Sequence, residues 1–73
     1  MPLDRLLENQ AFGPEQVSAM TFAFEAICRE RKLRPGKDER LREQVARHVI
    51  AVASRGESDP ERLRKAVAST IRL

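Results

Sequence analysis

Residues 38–56 constrain the fold more than any other stretch. They read Asp-Glu-Arg-Leu-Arg-Glu-Gln-Val-Ala-Arg-His-Val-Ile-Ala-Val-Ala-Ser-Arg-Gly. Winding them at about 100° per residue brings Leu41, Val45, His48, Val49 and Val52 onto one arc. Ala46, Ile50 and Ala53 widen that arc to roughly half the circumference, beyond the ~100° stripe of an ordinary surface helix. A helix that is apolar so far round needs cover from more than one neighbour. Asp38 is the expected N-cap of this helix and Gly56 its expected C-terminal stop.

The flanking sequence supplies those neighbours. Phe12-Gly13-Pro14-Glu15-Gln16-Val17 reads as a helix start, with Gly13 as cap, Pro14 at the first helical position and Glu15 and Gln16 in the first turn. Phe12 and Val17 have the spacing of a hydrophobic staple. Val17, Met20, Phe24, Ile27 and Cys28 then share one face. Downstream, Arg34-Pro35-Gly36-Lys37 is a turn. Asp59 and Pro60 open a last helix whose apolar face is Leu63, Ala66, Val67, Thr70 and Ile71. Leu3, Leu6 and Leu7 give a short leader the i, i+3, i+4 spacing of a helix too brief to stand alone in water. No stretch alternates long enough to predict a strand. The expected fold is therefore one all-α domain over residues 1–73. It has three main helices at about 14–33, 38–55 and 60–72, packed as a small bundle, with a leader helix at about 2–10.

A core built from 73 residues is small, and such cores supply only about 3–5 kcal/mol. A single cysteine excludes an internal disulfide. One cysteine and one histidine do not make a four-ligand zinc site. Helix packing or self-association is left to supply stability. No apolar run approaches the ~18 residues of a membrane span, and Met-Pro-Leu-Asp-Arg-Leu-Leu is not a secretory signal. With a lone thiol, this favours the cytoplasm.

Net charge is +3, from 14 bases and 11 acids. The sequence pI near 9.8 invites a nucleic-acid reading, but acids are interleaved with the bases almost everywhere. Seven bases and three acids fall in residues 29–42. Arg29, Arg31, Lys32, Arg34 and Lys37 are the candidate phosphate or nucleic-acid contacts there. The plainer explanation is solvated helix ends, where cations suit the macrodipole. Arg62, Arg64, Lys65 and Arg72 make the last two helices resemble a helix-turn-helix. Their connection is longer and more acidic than that motif uses.

His48 on the central helix has no Ser or Asp placed to complete a triad, so a hydrogen-bonded histidine at the core edge is expected. Cys28 is expected to be a small core hydrophobe. No phosphate loop, dinucleotide fingerprint or metal-ligand spacing occurs, so neither enzyme chemistry, a cofactor nor a metal is expected. Phe22 stands apart. It projects opposite Val17 and Phe24, among Glu15, Ser18, Glu25 and Arg29. The leader helix, the first choice, or a second molecule would cover it; otherwise it stays exposed as a single surface aromatic, which is ordinary. Phe22, Ile50, Leu3, Leu6 and Leu7 are therefore the candidate partner contacts.

Three stretches carry a wider likeness: Phe12-Gly-Pro-Glu15, Ala23-Phe-Glu-Ala-Ile-Cys28 and Arg55-Gly-Glu-Ser-Asp-Pro-Glu-Arg-Leu63. On these the chain resembles a group of short, uncharacterised bacterial all-helical proteins. The resemblance implies a bacterial cytoplasmic protein and assigns no functional residue. The expected role is a helical protein–protein interaction or adaptor module, with homodimerisation as one form of it. Nucleic-acid binding through the basic turn or the last helix is the alternative.

Overall fold

The three main helix starts marked in the sequence recur in the computed structural model, which describes residues 12–71. Helix α1 is Pro14–Glu30, α2 is Glu39–Ala53 and α3 is Pro60–Thr70. The described residues contain no strand, and each helix packs against both others. The radius of gyration is 11.0 Å, close to the roughly 11 Å expected of a folded chain this long. The expected leader helix at 2–10 lies outside the described residues.

The core draws on all three helices. Met20, Phe24 and Ile27 from α1, Val45 and Val49 from α2, and Leu63 and Val67 from α3 are its largest fully buried side chains. Ala19, Ala23, Ala46 and Ala53 are buried as well, where small side chains let the helices approach closely. Ile71, just past α3, closes the core. Phe12, Leu33, Ile50 and Ala66 are half-buried against it.

The buried arc of α2 is rotated from the expected one. Ala46 and Ala53 lie fully inside, while Leu41 and His48 sit half-buried at one rim and Ile50 at the other. Arg42, four residues before Ala46, is buried among the apolar side chains. Its charge hides a position that the helical spacing places inside.

The helix ends also differ in detail. Helix α1 stops at Glu30, three residues before the expected 33. Lys32 adopts a left-handed φ of 58°. Its N–H donates to Arg29 O at 3.1 Å, and the Leu33 N–H donates to Cys28 O at 2.8 Å. This is a Schellman stop with lysine where glycine is usual, and Leu33 folding back on the core completes it. Pro35 and Gly36 then form a type II turn. Gly36 has φ 80°, and Lys37 N donates to Arg34 O at 3.3 Å.

Asp38 occupies the N-cap position of α2 but makes no side-chain cap bond. Its Oδ2 accepts the Arg34 N–H at 2.8 Å instead. The turn's amides compete for this carboxylate and hold it. At the far end, α2 reaches Ala53 rather than 55, and Gly56 takes a φ of 102° beyond it. Asp59 caps α3 as expected, its Oδ1 accepting the Arg62 N–H at 3.0 Å, with Pro60 in the first turn.

Two long-range bonds fasten the bundle where the sequence showed nothing. Gln16 Nε2 donates to Ala53 O at 2.7 Å and to Glu57 O at 3.2 Å, so the start of α1 satisfies the end of α2. Arg64 bridges Glu61 on its own helix and Glu30 at the end of α1, both at 3.1 Å.

Candidate functional site

The turn between α1 and α2 is built around its own backbone. Asp38 holds the Arg34 amide, and Glu39 Oε1 accepts the Gly36 N–H at 2.6 Å. Glu30, the third acid of the stretch, is engaged by Arg64. All three carboxylates are thus committed within the fold. The candidate phosphate contacts are not. Arg29, Arg31, Lys32, Arg34 and Lys37 are all exposed, and none makes a salt bridge among the described residues. Arg40 is also exposed and makes no salt bridge among the described residues. Further along α2, Arg47 and Glu43 meet at 3.7 Å.

Arg42 is the exception in this basic stretch. Its guanidinium lies over the Phe24 ring, 5.1 Å from the centroid, within the ~6 Å range of a cation–π contact. Nη1 donates to Leu33 O at 3.3 Å, and Nε stands 3.9 Å from Glu39 Oε1 with no hydrogen-bond partner. Arg42 therefore ties the Schellman stop of α1 to the start of α2. It holds the turn in shape and does not belong to the exposed cationic surface.

Phe22 is the exposed large hydrophobic side chain among the described residues, at 45%. It sits on the outer arc of α1 with Glu15, Ser18, Glu25 and Arg29, all exposed. Ile50 does not join it: that side chain packs against the core. Leu3, Leu6 and Leu7 lie outside the described residues.

His48 is half-buried, and its Nδ1 bonds the Gln44 carbonyl at 2.8 Å. A carbonyl only accepts, so Nδ1 carries the proton and the ring is fixed to its own helix. Cys28 is buried and free. Burial above all pushes its thiol above the usual range. Nearby Arg42 pulls the other way, and Glu25 and Glu39 push it further up. A buried thiol held protonated is a poor nucleophile. Among the described residues no group of three or more His, Cys, Asp or Glu is gathered as metal ligands would be. Nor is any helix of the described residues long and apolar enough to cross a membrane.

In the last helix, the helix-turn-helix reading loses one of its bases. Arg64 is half-buried between Glu30 and Glu61, and the Glu61 hydrogen bond above all holds it more firmly protonated than usual. Residues 54–59 separate α2 from α3, longer than the ~3–4-residue turn of that motif. No known protein family, curated protein or solved structure matches this chain.

Proposed function

We propose that this chain is a helical interaction module that pairs with a second copy of itself along the outer face of α1. The exposure of Phe22 at the middle of that face carries the reading. Aromatic side chains are the usual anchors of protein interfaces. Glu15 and Arg29 flank the anchor, each seven residues away on the same arc. Neither makes an ion pair among the described residues.

That spacing is self-complementary. Two α1 helices laid antiparallel about Phe22 place Arg29 of each copy beside Glu15 of the other. A two-fold interface requires such a match, because one patch must fit itself. Ser18 then opposes Ala26, and these small residues allow close approach. The seam is small beside the roughly 1,200–2,000 Å² of a standard stable interface, so association is expected to depend on concentration. A lone free cysteine suits a reducing compartment for such a module.

Light scattering across a wide concentration range tests the pairing. The wild-type chain is expected to move from monomer to dimer, and Phe22→Ser to stay monomeric. Glu15→Arg or Arg29→Glu alone sets like charges face to face and is expected to weaken pairing about 10-fold. The double exchange restores it. A wild-type chain that remains monomeric at every concentration overturns the self-pairing.

A further inference from the structure

We infer that the turn between α1 and α2 binds the phosphate backbone of duplex nucleic acid without reading its bases. This surface is separate from the Phe22 face. Residues 31–40 carry Arg31, Lys32, Arg34, Lys37 and Arg40 against Asp38 and Glu39. The rest of the chain holds nine bases and nine acids, so the whole net charge of +3 resides in these ten residues.

The five cations are free to meet a ligand. All are exposed, and none forms a salt bridge among the described residues. The two acids are spent on the turn itself, Asp38 on the Arg34 amide and Glu39 on the Gly36 amide. The scaffold beneath is fixed by the Schellman stop at Lys32, the Pro35-Gly36 turn and the Arg42 contact to Leu33 O. Cations on an ordered turn lose less freedom on binding than cations on a loose tail.

The density of charge selects the partner. Five cations within ten residues call for closely spaced anions, and duplex DNA carries one negative charge per roughly 1.7 Å of axis. Guanidinium forks on Arg31, Arg34 and Arg40 suit phosphate oxygens in pairs. The stretch has no aromatic residue for stacking bases, which argues against a single-strand platform. It also offers no large exposed hydrophobic side chain to enter a bilayer, since Leu33 packs on the core and the exposed Pro35 is only a small ring within the turn. What remains is contact with the sugar–phosphate backbone, which positions a protein and carries no sequence information.

Fluorescence anisotropy with a labelled duplex, titrated at several salt concentrations, tests the proposal on the full chain. With roughly four phosphates neutralised, log K is expected to fall against log salt with a slope of about −3 to −4. Duplexes of different sequence should bind alike. The variant Arg31→Ser, Lys32→Gly, Arg34→Ser and Lys37→Ser is expected to lose at least ~10-fold in affinity and to flatten the slope. Circular dichroism establishes that it is folded; the double variant Arg34→Ser, Lys37→Ser serves in its place if it is not, with a smaller loss of the same kind. A charge-matched control, Arg47→Ser, Arg55→Ser, Arg62→Ser and Lys65→Ser, removes four exposed cations outside the turn. It should keep affinity within about 3-fold. The proposal is overturned if the control falls as far as the turn variant or if no duplex binds at low salt. It also fails if polyglutamate or anionic phospholipid vesicles compete as well as the duplex.

Discussion

Arg42 decides most at the scale of single residues. It is 8% exposed, yet it carries a charge. Its stem fills space in the core, its guanidinium covers Phe24, and one N–H holds Leu33 O. Its ion-pair geometry is poor, with Glu39 at 3.9 Å and half exposed. Packing therefore outweighs charge at this position. Arg42→Ala is expected to cost about 2–3 kcal/mol, through the cavity and the lost contacts. Arg42→Met, which keeps the stem, should stay within about 1 kcal/mol of wild type. Urea unfolding measures both, and equal losses in the two variants would show that the charge matters more than the packing. The burial was legible in spacing, since Arg42 lies four, seven and eleven residues before Ala46, Val49 and Ala53. It was hidden by residue type, because a wheel read only for apolar side chains begins at Leu41. Leu41 instead sits at the rim. Cys28 and His48 were legible because each has an unremarkable role, Cys28 as a small side chain in the core and His48 as a ring bonded to its own helix.

At the scale of elements, helices were legible where a local signal acts alone. Asp59 and Pro60 have no competitor, and they open α3 as the sequence indicates. Asp38 has a competitor. The turn behind it exposes the Arg34 amide, and that amide takes the carboxylate from the helix. Gln16 could not be read at all, because its acceptors are 37 and 41 residues away. Helix α1 ends early because Leu33 gains more by folding onto the core than by prolonging the helix. The cost is a left-handed lysine. At Lys32 that conformation costs an L-residue roughly 1–2 kcal/mol, and glycine returns part of the gain as unfolded-state entropy. Lys32→Gly is thus expected to raise stability by about 0.5–1 kcal/mol net. Thermal unfolding by circular dichroism gives the sign. A loss of stability on this substitution would mean that the Lys32 side chain contributes more than its backbone strain removes.

For the whole molecule, the same sequence that made function hard to read makes its alkaline behaviour simple. The chain has no tyrosine, and its three lysines are exposed among its many arginines. Cys28 is the buried group that titrates in the mildly alkaline range. Its thiol lies in the joint where α1 meets Arg42, and folding pushes its pKa above the ordinary 9.0. The unfolded chain therefore releases this proton first. The stability that the neutral thiol contributes is fully present below about pH 9 and is lost as pH rises through the folded value. Arg64 shifts in the same direction, chiefly through its Glu61 hydrogen bond, but an arginine titrates far above that window. Wild-type unfolding free energy is thus expected to decline above about pH 9. Cys28→Ala should start lower, by about 1 kcal/mol for the lost side-chain packing, and decline less steeply over the same range. Denaturant titrations at a series of alkaline pH values compare the two slopes. Parallel declines would mean that the thiol is not held neutral by the core. The comparison reports on the joint that also shapes the cationic turn, so a thiol that ionises freely in the folded chain would loosen the case for a rigid turn presenting its five cations.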